Sequence, residues 1–152
     1  MKIDDLDREI IKHLQKDARM SFRELGRKLG VPHTTIFTRA ERLVKRGIIK
    51  KFSAILHPHK VGLRIGFIVV NATPSESKDI ARKIAELDEA CKVFRTVDGK
   101  IIVKAIVPDH PNYEGLEEFL AKLGNYSMDV YPIHEVVKFD HTISEGMLKS
   151  EI

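Results

Sequence analysis

Residues 21–49 read SFRELGRKLGVPHTTIFTRAERLVKRGII, and this stretch decides the fold of the first part of the chain. Ser21 stands just before the first apolar residue and Glu24 follows three positions later, a spacing typical of a helix N-terminus. Gly30 predicts the end of that short helix, and a longer helix begins at about Pro32 and ends before the next glycine. Two helices joined by a glycine-containing turn indicate a helix-turn-helix.

The longer helix has two chemically different sides. At about 100° per residue, its apolar side carries Ile36, Ala40 and Leu43, whereas the opposite side has no carboxylate at its centre. The hydroxyl-bearing and basic residues on that opposite side are Thr34, Thr35, Thr38, Arg39, Arg42 and Lys45. Such a face is either an ordinary solvated helix surface or a surface that contacts DNA. We favour DNA contact, because hydroxyl, methyl and guanidinium groups read base edges and hold phosphates.

Position along this helix assigns a role to each polar residue. In a recognition helix the N-terminal residues reach base edges and later ones hold phosphates. The residues predicted to contact bases, through hydroxyl or methyl groups, are Thr34, Thr35 and Thr38. Arg39 and Arg42 either form a fork to guanine or clamp a phosphate. The other basic side chains predicted to hold phosphates are Arg23, Arg27 and Lys45. His33 either joins them or is simply an exposed residue of the turn.

An amphipathic helix and an extended stretch flank this motif. A first helix is predicted over residues 4–16 from the apolar stripe of Leu6, Ile10 and Leu14, with three aspartates at its positive end. Residues 48–56 are rich in strand-forming residues, and the prolines and glycine after them indicate a linker.

The second half alternates strands and helices. Predicted strands cover 65–72, 92–97, 101–107 and 128–139, with helices over 76–87 and from Pro111 onward. Asp98-Gly99-Lys100 is a hairpin signal, and Pro132 indicates an edge strand or a bulge. We therefore predict an α+β fold, with an N-terminal (winged) helix-turn-helix domain followed by a βαββαβ ferredoxin-like domain. The predicted boundaries are residues 1–50 for the first domain, 51–63 for a linker strand and hinge, and 64–152 for the second.

Charge is distributed unevenly along the chain. Residues 1–60 contain fifteen Lys or Arg and seven Asp or Glu, a net charge of +8, whereas residues 61–152 carry −4. This split predicts that only the first part meets a polyanion. We expect a cytoplasmic protein without signal peptide or membrane span, because the N-terminus is polar and no apolar run approaches 18 residues. The single cysteine, Cys91, excludes an internal disulfide and is interpreted as a buried structural thiol.

Several short motifs in fixed order resemble those of the Lrp/AsnC (feast/famine) transcription regulators. The motif positions are Leu6-Asp7, Asp17-Ala18-Arg19, Arg39 to Leu43, and Gly47 to Ile49. The predicted βαββαβ half extends the resemblance to nearly the whole chain. The abundance of Lys, Arg and Glu beside a single glutamine points to an archaeal or thermophilic type.

This resemblance implies a homodimer in which strands around residues 50–56 pair between subunits, with assembly to a tetramer or octamer. It also implies that the second domain binds an effector, usually an amino acid or related small molecule. The residues predicted to hold it are Thr96, Asp98, Gly99 and Lys100. The family often has an aspartate three residues after a glycine in this turn, where the present chain has Ile102 after Gly99. The turn is therefore either an effector site or simply a tight hairpin.

Three functions compete at this stage. The main hypothesis is a sequence-specific regulator that binds double-stranded DNA, and the alternative is an architectural DNA-coating protein without effector. The threonines favour the first, because coating would be served better by lysines. An enzyme is disfavoured because His110, His134 and His141 are scattered without a nucleophile motif. His57 and His59 make a weak metal-ligand set, so we predict no catalytic residue, no metal and no cofactor beyond an effector.

Overall fold

The computed structural model describes residues 3–148, which divide into two units. One unit contains the residues up to Ala54 together with those from Lys138 onward, and the other is Ile55–Val137. The helices are α1 Asp5–Lys16, α2 Phe22–Leu29, α3 His33–Lys45, α4 Ser77–Ala85, α5 Glu114–Leu123 and α6 Glu145–Leu148. The strands are β1 Leu63–Val70, β2 Ala90–Arg95, β3 Ile101–Pro108 and β4 Met128–Pro132. Short 3₁₀ turns cover Pro58–Val61 and Pro111–Tyr113.

The first unit packs α1, α2 and α3 around one apolar core. The fully or nearly fully buried side chains of this core are Ile10, Ile11, Leu14, Leu25, Ile36 and Leu43. They come from the apolar stripes that the sequence predicted for each helix, so the three-helix arrangement is confirmed. Burial of these stripes stabilises helices that are too short to persist alone in water.

A capping box fixes the start of α1. The carboxylate of Asp4 accepts a hydrogen bond of 2.9 Å from the backbone N–H of Asp7, and the carboxylate of Asp7 accepts one of 3.3 Å from the N–H of Asp4. The sequence predicts favourable charges at the positive end of the helix dipole here, and the capping box adds a hydrogen-bonding role for Asp4 and Asp7. At α2, Ser21 accepts from the N–H of Glu24 at 3.1 Å, as predicted.

Close packing shapes the turn between α2 and α3. Gly30 ends α2 with φ 69°, in the left-handed region that favours glycine. Gly26 lies within α2 beneath the turn, where a Cβ atom would stand 2.6 Å from the carbonyl oxygen of Val31. The path of the chain into α3 therefore depends on the absence of a side chain at position 26.

The second unit is the predicted ferredoxin-like βαββαβ domain. Its four strands form an antiparallel sheet in the order β2-β3-β1-β4. The side chains of β3 alternate between buried and half-buried positions, and Phe119 of α5 is fully buried in the same core. Pro132 ends the edge strand β4, which agrees with its predicted position, since proline cannot donate to the ladder.

Residues 48–56 form no strand within the described chain, so the predicted pairing of residues 50–56 between subunits stays a prediction. Three details of the sequence prediction are wrong. The described residues of the first unit contain no β-wing. The last strand ends at Pro132 rather than at residue 139. Cys91 is exposed, because it lies at a β-bulge on the edge strand β2, and its Sγ atom is 3.1 Å from the carbonyl oxygen of Lys104.

The C-terminal segment also departs from the predicted boundary of 64–152, because it packs on α1. The backbone N–H of Ile143 donates to Gln15 at 2.7 Å, and the Gln15 amide donates back to the Ile143 carbonyl at 3.2 Å. Nε of Arg8 donates to the carbonyl of Leu148 at 3.0 Å. These contacts join the segment from Lys138 onward to the helical unit. Over residues 3–148, no helix has the length and apolar character needed to cross a membrane.

Candidate nucleic-acid interface

The predicted reading face of α3 forms a continuous exposed surface. Thr34 and Thr38 are exposed, while Thr35, Arg39 and Arg42 are half-buried. These five residues together line a shallow depression of about 280 Å³. Helical periodicity places them there, because the opposite side of α3 carries Ile36, Ala40 and Leu43 into the core.

The other predicted contacts lie on depressions next to this one. Arg23 and His33 line a larger depression of about 620 Å³, together with Arg27 and the turn that follows α2. Lys45 lies towards the other end of α3, in a depression of about 460 Å³ that also includes Thr38 and Arg42. The structure therefore brings all nine predicted residues onto the surface of α2, the turn and α3.

Thr38 presents only part of its hydrogen-bonding capacity outward. Its hydroxyl donates to the backbone carbonyl of Thr34, one turn earlier, at 3.0 Å. The hydroxyl proton is thus already in use, which leaves the oxygen lone pairs and the γ-methyl group. A methyl group suits packing against the C5-methyl of thymine, and the lone pairs suit an exocyclic amino donor.

The N-terminus of α3 has no side-chain cap. Pro32 occupies the cap position, and its carbonyl accepts from the N–H groups of Thr35 at 3.0 Å and Ile36 at 3.3 Å. Proline has no hydroxyl or carboxylate with which to hold the first N–H groups of the helix. The positive end of the helix dipole is therefore not offset by a local capping group.

Arg39 and Arg42 are not free cations. Nη2 of Arg42 donates to both carboxylate oxygens of Asp7, at 2.9 and 2.8 Å. Nη1 of Arg39 donates to Asp7 at 3.2 Å and also to the carboxylate of Asp4. The hydrogen bond from Arg39 is the largest cause of the lowered pKa of Asp4, and the same bond raises the pKa of Arg39. Two arginines and two aspartates thus form one charge-neutral cluster at the edge of the reading face.

Comparison with known proteins identifies the family. Residues 3–44 match the AsnC-type helix-turn-helix domain. The HTH-type transcriptional regulator FL11 of Pyrococcus furiosus is 32% identical over 142 residues, which cover 88% of this chain and 92% of FL11. This chain belongs to the Lrp/AsnC family of transcriptional regulators.

Two further relatives show how far this Lrp/AsnC protein can be compared. The uncharacterized HTH-type transcriptional regulator PH0140 of Pyrococcus horikoshii is 41% identical over 90 residues, which span 59% of this chain and only 57% of PH0140. The crystal structure of PH0061 superimposes with a TM-score of 0.84 at 28% identity, over 93% of this chain and 99% of that one. The predicted family and the predicted α+β fold are therefore confirmed.

The four residues predicted to bind an effector lie together in the turn between β2 and β3 of this Lrp/AsnC protein. The Thr96 hydroxyl donates to Asp98, which is the main cause of the lowered pKa of that carboxyl, and the Thr96 N–H donates to the Lys100 carbonyl at 2.8 Å. Gly99 has φ 94°, and a Cβ atom there would stand 2.5 Å from the backbone nitrogen of Pro74. The polar groups of the turn mostly bond to one another, as expected of a tight hairpin. Effector binding at this turn stays a prediction.

Asp7 is the functional candidate that the sequence analysis missed. It is only 1% exposed, although it is a carboxylate in the first turn of α1. A signal for its role was available, because Asp7 lies in helical register with the buried Ile10 and Leu14. A charge in a buried register needs a partner of opposite charge, and the reading face of α3 supplies two arginines.

Proposed function

We propose that this Lrp/AsnC protein regulates transcription by binding specific sequences of double-stranded DNA. The observation that carries the proposal is the exposed threonine face of α3, flanked at both ends by basic side chains. Lysines and arginines attract the phosphate backbone of any sequence, whereas threonine methyl and hydroxyl groups distinguish base edges. The two chemistries lie side by side on the pair of helices that forms the reading module of such proteins.

We assign different tasks to the centre and the ends of the face. Thr34, Thr35 and Thr38 lie on the first part of α3 and are proposed to read bases. Arg23, with Arg27, and Lys45 flank them and are proposed to hold phosphates. His33 lies beside the uncapped start of α3, where a phosphate oxygen would also meet the positive end of the helix dipole. Arg39 and Arg42 complete the face.

The alternative of an architectural, sequence-independent DNA protein receives less support. Such a protein gains its affinity from phosphate neutralisation and therefore benefits from unpaired cations. On this face, Arg39 and Arg42 are instead paired with Asp4 and Asp7. Carboxylates next to a DNA-binding surface lower the phosphate-based affinity that is common to all DNA sequences. Contacts to specific bases then account for a larger share of binding, as a sequence-specific protein requires.

We further propose that the protein acts as a homodimer that assembles into a tetramer or octamer. Residues 51–57 have no secondary structure, yet they expose Phe52, Ile55 and Leu56 by 48%, 61% and 64%. Exposed apolar side chains on one segment that belongs to no helix or strand suit pairing with the same segment of a second copy. Two copies would read two half-sites of a pseudo-palindromic operator.

Selection from a random DNA pool, followed by competition binding, tests the proposed function. The protein is expected to bind the selected sequence at least about a thousandfold more tightly than random DNA. Lys45→Ala and Arg23→Ala should weaken binding to both DNAs and reduce the salt dependence by about one phosphate contact each. Thr34→Val, which keeps the size of the side chain, should change affinity for the selected sequence only.

Arg82→Ala supplies the control for these measurements. Arg82 is an exposed arginine of α4 in the second unit, so its substitution changes the net charge equally without touching the reading face. It should leave the salt dependence unchanged. Equal binding to selected and random DNA by the wild-type protein would support the architectural alternative and reject sequence-specific regulation.

A further inference from the structure

The buried carboxylate of Asp7 has more hydrogen-bonding partners than its helix requires. The capping box alone would use one of its oxygens, through the N–H of Asp4 at 3.3 Å. Arg42 donates to both oxygens, and Arg39 adds a contact of 3.2 Å. The Asp7 side chain is only 2% exposed. A buried charge is tolerated only when it is paired and hydrogen-bonded, so Asp7 and the two arginines must be present together.

The geometry at Arg42 leaves two of its three guanidinium nitrogens unused. A single nitrogen, Nη2, serves both oxygens of Asp7. Within the described chain, Nη1 and Nε of Arg42 donate to no protein acceptor. The side chain is 36% exposed and lines the same depression as Thr34, Thr35 and Thr38. Because the guanidinium group is planar and rigid, holding Nη2 restricts where the N–H groups of Nη1 and Nε can point.

Charge alone does not explain why Asp7 lies at this surface. A carboxylate under the reading face repels phosphates and lowers affinity for all DNA. The carboxylate is nevertheless useful if its main effect is to fix the orientation of the neighbouring arginine side chain, rather than to change the attraction between the protein and DNA. A long arginine side chain loses rotamer freedom when it binds DNA, and an arginine that is already held loses less.

We propose that Asp7 is a positioning residue for DNA recognition, which holds Arg42 so that the unused N–H groups of Nη1 and Nε donate to acceptors on the DNA. Arg39 also donates to this carboxylate, at Oδ1. The acceptors are guanine N7 and O6 or phosphate oxygens, which offer the same hydrogen-bonding chemistry. This inference rests on the proposed DNA-binding function and concerns how the reading face is held ready.

A test substitution and a matched control substitution, each removing one negative charge from α1, test the proposal by DNA binding. Asp7→Asn removes one negative charge, so electrostatics alone predicts tighter binding, whereas loss of positioning predicts weaker binding to the selected sequence, on the order of tenfold. Asp5→Asn is the matched control, because Asp5 is fully exposed in the same first turn of α1 and carries the same charge. It should bind DNA at least as tightly as the wild type.

Arg42→Lys covers the case in which Asp7→Asn unfolds the helical unit. A lysine can still offer one nitrogen to both oxygens of Asp7, so the buried charge stays paired, but the N–H groups of Nη1 and Nε are lost. This variant should keep its thermal unfolding midpoint within a few degrees of the wild type and lose affinity for the selected sequence by roughly tenfold. Alanine at position 42 would be less informative, because it would leave Asp7 with one cation fewer.

The combined variant separates positioning from general stability. If Asp7 acts through Arg42, adding Asp7→Asn to Arg42→Lys should weaken DNA binding no further, whereas independent effects would multiply. A fall in the ratio of selected to random affinity assigns the unused N–H groups of Arg42 to a base, and an equal fall for both DNAs assigns them to a phosphate.

Wild-type affinity in Arg42→Lys, or Asp7→Asn binding as tightly as Asp5→Asn, would overturn the inference while leaving the proposed function intact. Failure of the wild-type protein to prefer any sequence would instead reject the proposed function itself.

Discussion

At the scale of single residues, Asp4 performs two tasks at the start of α1. Its carboxylate caps the helix through the N–H of Asp7 and pairs with Arg39 on α3. Pairing lowers the pKa of Asp4 below its ordinary value. A carboxyl group with a lowered folded-state pKa stabilises the fold above its unfolded-state pKa, and that contribution disappears as the pH falls through the folded-state pKa. The ion pair therefore contributes at neutral pH and not in strong acid.

Asp4→Asn separates these tasks, because asparagine caps a helix about as well as aspartate but carries no charge. We expect a loss of roughly 0.2–1 kcal/mol in the free energy of unfolding at neutral pH, a small value because the Asp4 side chain is 52% exposed. The loss should shrink as the pH falls below the ordinary carboxyl pKa and through the lowered pKa of Asp4, as measured by urea unfolding. Asp4→Ala is the control, since it also removes the cap and should cost about 1 kcal/mol more at every pH. A loss that grows in acid would contradict this view.

The residues of the candidate site were predictable to different degrees. Periodicity alone assigned Thr34, Thr38 and Arg42 to one side of α3, because a helix fixes the direction of every side chain. The pairing of Arg42 with Asp7 requires knowledge of which side of α1 packs against α3. That relation depends on the tertiary packing of two stripes, and local sequence patterns do not encode it. The hydrogen bond from the Thr38 hydroxyl to the backbone was not predictable, because either water or a carbonyl of the preceding turn could have accepted the hydroxyl proton.

At the scale of elements, the position of α3 depends on the contact between α2 and the turn. Gly26→Ala would place a methyl group 2.6 Å from the carbonyl oxygen of Val31. The backbone N–H of Val31 also donates to the carbonyl of Gly26 at 3.0 Å, so Val31 is held close to position 26. Alanine favours a helix interior over glycine by about 1 kcal/mol. Overpacking against backbone costs typically 1–3 kcal/mol, so the clash should outweigh the gain in helix propensity. We therefore expect net destabilisation and weaker DNA binding.

Thermal unfolding of Gly26→Ala beside Gly146→Ala measures this effect. Gly146 lies in α6, where an added Cβ would meet no atom within 4 Å, so its variant should be as stable as the wild type or slightly more so. Equal midpoints for the two variants would show that the turn can move aside at little cost.

Elements whose stabilising contacts are local or within one unit were predictable. The two helices and four strands of the βαββαβ order were predicted from periodicity, turn signals and Pro132. All four strands pair with one another in a single sheet of this domain. Residues 48–57 carry a strand-like composition but no strand, because composition does not supply a partner. The C-terminal segment packs on α1 through single contacts such as that of Gln15 with Ile143. Contacts of this kind produce no periodic pattern of residues, so the sequence did not predict them.

At the scale of the whole molecule, we expect DNA affinity to depend on dimer formation through the exposed segment 51–57. If it pairs between subunits, the double variant Ile55→Glu with Leu56→Glu places charge on both faces of the strand, since successive side chains alternate. We expect this variant to sediment as a monomer. Its affinity for the selected DNA should fall by at least about a hundredfold, because two linked half-site contacts exceed either one alone by that order. Val97→Glu, which alters another exposed apolar residue, should keep the dimer. A monomeric variant that retains full affinity would show that one subunit reads the whole operator.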